Sequence, residues 1–435
     1  MRGRWIVPLV LPLALVAACG GTTPVAAGPG GLLVAEGVSR KVPSAAEPVG
    51  PAVTGMTAFG YDLLRAMGED AAGNVVVSPL SIAYAFGMAE AGARGETRRQ
   101  IDETFGFGED GPHEAFNALT RQIGATDTAP PVVPKSTPPM DQPQEPHPPI
   151  LAIANGLFVQ QDFPVEQDFL RILAEQYGAG ARTVDFYDDP DAAAKVINDW
   201  VRQQTANRID KLFDQLETDT KLVLANAVYL KADWARGFQR SQTVEQPFHL
   251  AGGRNVMAPL MRQNDDLLYA KGDGWQAVEL PYADRKLAMW VLVPTGTGDP
   301  LDLLSPATMD TVGKSLAPAT VDLSLPRWDF GKKVDLIPPL QELGMTVPFT
   351  DRADFHGMTD ADLLIGQAIH RANITVDEDG TEAAAVTGIA MVPTSAGPVL
   401  PHATIRADHP FAFAIVHKPT HTPLFIGQVA DPTQG

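Results

Sequence analysis

Hydrophobic positions follow a helical period in several early stretches of the chain and run together as strand-like segments later. Ser78-Pro79 pairs a capping residue with a proline suited to a first helical turn, and Leu80, Ala83, Tyr84, Gly87 and Met88 then share one face before Gly92. Thr97-x-x-Gln100 has the form of a capping box leading into Ile101, Thr104 and Phe105, which predicts a helix opening at Thr97. Another helix is predicted after Asp189-Pro190, with Val196, Ile197, Trp200 and Val201 turned inward. Leu222 to Leu230, Leu287 to Pro294, Val321 to Leu325, Ile374 to Val376, Phe411 to Val416 and Leu424 to Val429 read as strands. Helices early and strands late predict an α+β domain with an antiparallel or mixed sheet, beginning near Val53.

The segment Val376 to Ser395 fits neither pattern. Alanine-rich runs favour helix. Here, however, the alternate positions Thr381, Ala383, Ala385, Thr387, Ile389 and Met391 are all small or apolar, while the charge of Glu382 falls on the other set. Such a strip can enter a sheet as a strand. The following stretch, with Pro393, Gly397, Pro398 and Pro401, cannot join that strand and is expected to stay exposed.

Two stretches lie outside the domain pattern. Arg2 and Arg4 precede an apolar run from Ile6 to Ala18, too short to span a bilayer, so residues 1–18 are expected to be a signal peptide. Val16-Ala17-Ala18-Cys19 resembles the bacterial lipobox, which makes Cys19 the expected lipidation site. It is the only cysteine, so no internal disulfide exists. Residues 19–50, rich in Gly, Ala, Pro and Val, are expected to form a flexible tether. The second stretch holds nine prolines between Ala129 and Pro149, so residues 126–150 are expected to be an exposed insertion. The expected address is the cell envelope, as a lipoprotein, or the extracellular space.

Charge and chemistry narrow the function. The formal charge of −19 becomes −21 once Arg2 and Arg4 leave with the signal, a surface that repels phosphate backbones. Nucleic acid is therefore not an expected partner. No metal-ligand spacing, P-loop or G-x-S-x-G elbow is present, and Gly296-x-Gly298 lacks the third glycine of a nucleotide turn. Neither a metal, a cofactor nor an enzymatic activity is expected.

Glu378-x-Gly380-Thr381-Glu382-Ala383-Ala384 resembles the hinge of the serpin family. So do, in order along residues 53–433, Asn74 to Ile82, Gly92-Ala93-x-Gly95-x-Thr97, Asn155-Gly156-Leu157-Phe158, Leu224 to Trp234, Glu279-Leu280-Pro281-Tyr282, Leu325-Pro326-Arg327, Leu343-Gly344-Met345, His409-Pro410-Phe411 and Leu424-Phe425-x-Gly427. The resemblance implies a serpin fold over residues 51–435. That fold has a large central sheet, two smaller sheets, about eight or nine surrounding helices and an exposed reactive-centre loop over 376–408. It implies a monomeric suicide inhibitor of an extracellular serine protease, in which the cleaved loop inserts into the large sheet with the protease attached. The alternative is a non-inhibitory serpin-fold binding protein whose loop is merely cleavable.

In inhibitory members the scissile bond lies fourteen residues beyond the hinge glycine, which implies Thr394-Ser395. Pro410 then lies sixteen positions beyond Thr394, farther than is usual in the family, so Met391 and Ala396 are rival positions. A small β-branched residue at the bond suits elastase-like or subtilisin-like pockets rather than trypsin-like ones. By the same resemblance Gly380, Thr381, Glu382, Ala383, Ala384 and Ala385 form the hinge with Glu378, and Ser78, Ser81, Asn226 and His370 form a cluster controlling sheet opening. Trp234 marks the place where insertion begins, and Arg327 pairs with Glu378.

Overall fold

The structure is a computed structural model and describes residues 31–44, 47–125, 147, 149–216, 220–381 and 400–434. Cys19, most of the proline-rich insertion and the loop from Glu382 to Val399 lie outside these residues.

Two sheets organise the domain. The first runs in the order β1 (Leu32–Leu33), β4 (Ala181–Val184), β3 (Ile150–Gln160), β5 (Leu222–Asp233), β13 (Gly380–Thr381), β12 (Gln367–Val376) and β11 (Trp328–Asp335). It is mixed: β5 pairs β3 antiparallel, yet β5 and β12 run parallel from Val223/Gln367 to Val228/Ala372. Beyond that ladder the two strands part, and β13 sits between them, antiparallel to both. The second sheet has nine strands. β14 (His402–Arg406), β10 (Ala317–Pro326), β7 (Asn255–Gly272), β8 (Trp275–Pro281), β9 (Leu287–Pro294), β15 (Phe411–His417), β16 (Thr422–Val429) and β2 (Val75–Val77) follow in order, with β6 (Val244–His249) pairing β7. The two smaller sheets expected are thus joined through the 18-residue β7, which meets β6 near one end and β8 at the other.

Helices fill and cover this frame. α1 (Gly50–Ala66) and α2 (Pro79–Glu90) lie in the main core with α3 (Gly95–Phe105), α4 (His113–Ile123) and α5 (Gln167–Ile172) beside them. Every residue of α2 is buried, as its nearly unbroken apolar composition requires. The Ser78 hydroxyl caps it by accepting the Ser81 amide at 3.3 Å. α6 (Pro190–Gln204) covers the outer face of the large sheet, where Ile197 and Val201 join a separate cluster with Phe158, Val223, Ala225, Ala227 and Ile369. α7 (Pro306–Ser315) and α8 (Ile337–Glu342) complete the set among the described residues.

Four expectations change. α3 opens at Gly95 after Arg94 without a side-chain cap. Thr97 and Gln100 instead satisfy amides of another segment, those of Asp354, Thr346 and Val347, each at 2.8 Å. In α6 the inward face is Ala193, Ala194, Ile197, Asn198 and Val201, leaving Val196 37% exposed; Asn198 takes the inward place because its amide group bonds Leu212 and Phe213. The tether does not run free to Gly50: Leu32 and Leu33 pair with Arg182 and Ala181, and Ala35 is buried. Finally, Ile150 belongs to β3, opposite Lys231, rather than to the insertion.

Candidate functional site: the hinge and the sheet beneath it

The hinge enters the sheet at β13. Gly380 sits at φ +155°, and a Cβ there would lie 2.2 Å from the Ala232 carbonyl oxygen, so only glycine fits between the strands. Gly380 and Thr381 stand opposite Asp233 and Ala232 on β5, while Thr381 also faces Val376 on β12. Residues opposite one another share a face. Ala232 and Val376 both belong to the main core, so the Thr381 side chain points inward, as the alternation predicts. Its hydroxyl meets that of Tyr282 at 2.6 Å, and burial raises the Tyr282 pKa well above its ordinary value.

Aromatic and charged groups hold the approach to this strand. Trp234 stacks on Tyr282 with ring centroids 4.6 Å apart, donates its indole N–H to the Asp377 carbonyl at 3.0 Å, and donates its backbone amide to the Asp379 carbonyl at 2.8 Å. Trp234 therefore lies against the turn that leads into β13. Glu378 is fully buried and accepts from Arg327 Nε at 2.8 Å and from the Thr243 hydroxyl. Burial pushes the Glu378 carboxyl up, but the bonds from Arg327 and Thr243 outweigh it and hold the group below the usual range. Asp379 pairs with Arg240. The Asp377 side chain accepts the amides of Asp379 and Gly380, which closes the turn leading into β13.

The residues expected to control sheet opening meet deeper along the same strands. Asn155, Asn226 and His370 occupy one rung across β3, β5 and β12. From beneath, the Ser78 amide donates to His370 Nε2 at 3.1 Å, so Nδ1 carries the proton and donates to Asn226 Oδ1. Asn226 Nδ2 donates to the hydroxyl and the carbonyl of Ser81, each at 2.6 Å, and to Asn155 Oδ1. Burial lowers the His370 pKa to about 3, so the ring is neutral and spans β5 and β12 as a hydrogen-bonded bridge rather than as an ion.

All four residues expected in this cluster are therefore brought together. Asn155, which opens the motif Asn155-Gly156-Leu157-Phe158, is a fifth member, placed there by its position opposite Asn226. Arg240, Thr243 and Tyr282 also act at the hinge, and only Tyr282 lies in a motif singled out beforehand. Glu382, Ala383, Ala384, Ala385, Met391, Thr394, Ser395 and Ala396 lie outside the described residues. Among the described residues no three His, Cys, Asp or Glu are placed to hold a metal ion, and no helix is long and apolar enough to cross a membrane.

Known proteins match this architecture along nearly the whole chain. A bovine (Bos taurus) leukocyte elastase inhibitor is 32% identical over 391 residues, covering 86% of this chain and 98% of its own length. The native structure of tengpin, a thermophilic serpin, superposes with a TM-score of 0.78 at 25% identity, covering 93% of this chain and all of that one. Thyroxine-binding globulin in complex with thyroxine does so at 0.73 and 26% identity, covering 88% and 99%. The serpin (serine protease inhibitor) profile matches residues 54–432, and with the hinge and the cluster beneath it in place the chain belongs to the serpin family.

Proposed function

We propose that the protein is a suicide inhibitor of a serine protease, whose loop is cut at Thr394-Ser395 and enters the large sheet with the enzyme attached. The observation that carries the reading is β13, a first pair of residues already seated between β5 and β12. Continuing that antiparallel register one residue at a time sets Met391 against Leu222, the first residue of β5. The alternating strip from Thr381 to Met391 is thus as long as the slot. The same count brings Thr387 opposite Asn226 and His370, so insertion replaces the bridge between those two residues with a threonine from the loop.

An inserted residue flanked on both sides makes roughly two backbone hydrogen bonds where the closed β5–β12 ladder supplies at most one. At a net ~1 kcal/mol each, filling the slot releases on the order of 10 kcal/mol. That is comparable to the ~5–15 kcal/mol stability of a domain, so the uncleaved form is held kinetically. On cleavage the serine hydroxyl of the protease becomes acylated by Thr394, the new amino terminus leaves at Ser395, and insertion competes with hydrolysis of that ester. Thr394 at the bond and the similarity to an elastase inhibitor support an elastase-like or subtilisin-like target.

Incubation with proteases of both classes tests this reading. The expected product is an SDS-resistant adduct and a released peptide beginning at Ser395; cleavage by both classes with no adduct from either overturns it. A start at Val392 or Gly397 would instead place the bond after Met391 or Ala396. The second reading, a non-inhibitory binding protein, is favoured by the long segment between Thr394 and Pro410 and predicts cleavage without adduct. We also propose export as a monomer and lipid attachment at Cys19, which the mass of the mature amino-terminal peptide tests.

A further inference from the structure

The amino-terminal segment, which precedes the family match, occupies a groove built from polar groups. Arg40 reaches between α4 and the π-helical turn at Leu173–Tyr177, donating to Asn117 Oδ1 at 3.0 Å, to the Thr120 hydroxyl at 2.7 Å and to the Tyr84 hydroxyl at 3.4 Å. Asn117 is fully buried, and Tyr84 and Thr120 nearly so. The next residue closes the same contact. The Lys41 amide donates to the Glu175 carbonyl at 2.7 Å, and its own carbonyl accepts from Asn117 and Arg121, each at 3.0 Å. Carbonyls in the last turn of a helix lack partners within it, and Lys41 supplies one here. Upstream, Leu32 and Leu33 extend the sheet beside β4, and the bare Gly180 admits the Leu33 carbonyl, which a Cβ would approach to 2.2 Å.

We propose that this groove is a docking site for an arginine-anchored extended segment, and that its occupant, residues 31–42 of the chain, is a strap restraining the large sheet. The connectivity gives the reason. One end of the strap belongs to β4, in the half of the sheet with β3 and β5; the other is bonded to α4 and to Tyr84 of α2. The first turn of α2 bridges both halves, through Ser81 and Asn226 of β5 and through Ser78 and His370 of β12. Separating β5 from β12 to admit a strand displaces one half by about 4.8 Å against the other. When α2 stays with β12 as the sheet opens, the bonds of Asn226 to Ser81 break and the 2.7–3.4 Å hydrogen bonds from Arg40 to α4 and α2 do not survive the shift, so the strap must release.

The strap bears on the insertion mechanism proposed above, but its test needs neither protease nor adduct, so the two fail separately. Hydrogen exchange is measured on the full chain as wild type, Arg40→Ala and Gly180→Ala. The second variant leaves the strap sequence unchanged and blocks its strand by the Cβ contact. Ser305→Ala, which removes a cap from α7 against the other sheet, is the control for general destabilisation. Both strap variants are expected to speed exchange in 222–233 and 367–376 by about tenfold or more, the shift in an opening equilibrium when one charge-assisted hydrogen bond is lost. Ser305→Ala is expected to leave those segments unchanged. Faster exchange confined to 31–44 and 113–123, or an equal effect in Ser305→Ala, overturns the proposal. If Arg40→Ala fails to fold, Gly180→Ala decides.

Discussion

Replacing Thr381 with arginine puts a guanidinium at the first inward position of the inserting strand. In the wild type this side chain is 2% exposed, faces the core between Ala232 and Val376, and shares a 2.6 Å hydroxyl contact with Tyr282. The substitution removes that bond and leaves a buried Tyr282 hydroxyl unpartnered, at ~1–3 kcal/mol. It also brings an unpaired charge toward an apolar core, which costs several kcal/mol more. A combined ~5 kcal/mol on the step that seats the hinge slows insertion roughly 10³–10⁴-fold. Cleavage thirteen residues downstream is unaffected, so hydrolysis of the acyl-enzyme overtakes insertion and the protein becomes a substrate. The assay is a titration of protease against variant, read as adduct and as cleaved chain on a denaturing gel. Thr381→Val, which loses only the hydroxyl, is expected to keep forming adduct at somewhat lower yield. Adduct from Thr381→Arg at wild-type stoichiometry would refute the assignment of the inward face.

Three further outcomes follow from the same geometry. Gly380→Ala is expected to expel β13 from the slot, since its Cβ meets the Ala232 carbonyl, and faster exchange of the Thr381 amide reports this. Arg327→Ala leaves Glu378 buried with weaker partners; because Arg327 is itself more than a third exposed, the expected loss is about 2 kcal/mol rather than the full 3–5 of a buried pair, measured by urea unfolding. The Glu378 pKa is depressed, so its contribution is present above the ordinary value of 4.5 and lost as pH falls through the folded value; the variant should show a flatter acid limb. His370, lowered from 6.5 to about 3, works in the same direction for the opposite chemical reason. The unfolded chain binds a proton below 6.5 that the folded ring refuses, so stability is full above 6.5 and falls by about 2 kcal/mol by pH 5, a slope His370→Gln should remove.

Local chemistry made some of this molecule readable in advance. Ser78-Pro79 does cap α2, Asp189-Pro190 does open α6, and the predicted strand runs lie in β5, β9, β10, β12, β15 and β16, because each signal is complete within a few residues. Where a side chain bonds a distant segment, the local reading fails. Thr97 and Gln100 look like a capping pair but serve amides some 250 residues away, and Val196 yields its inward place to an asparagine paired with a later loop. The amino-terminal stretch was opaque for a related reason. Its composition is that of a tether, and its order comes from Gly180, Asn117 and Glu175, none of which is nearby in sequence. At the hinge, the alternation of small residues announced the inward face of Thr381. Arg240 and Thr243 gave no comparable signal, since only the fold of the β5–β6 connection brings them to Asp379 and Glu378.

The central claim is that the slot between β5 and β12 is filled by the chain's own loop in the register that β13 begins. A crystal structure of the protein after cleavage within the loop tests it most directly. The account predicts a continuous strand from Thr381 to Met391, with Thr387 opposite Asn226 and His370 and the hydrogen bond between those two residues broken. An intact parallel ladder from Val223/Gln367 to Val228/Ala372 in the cleaved protein would contradict it.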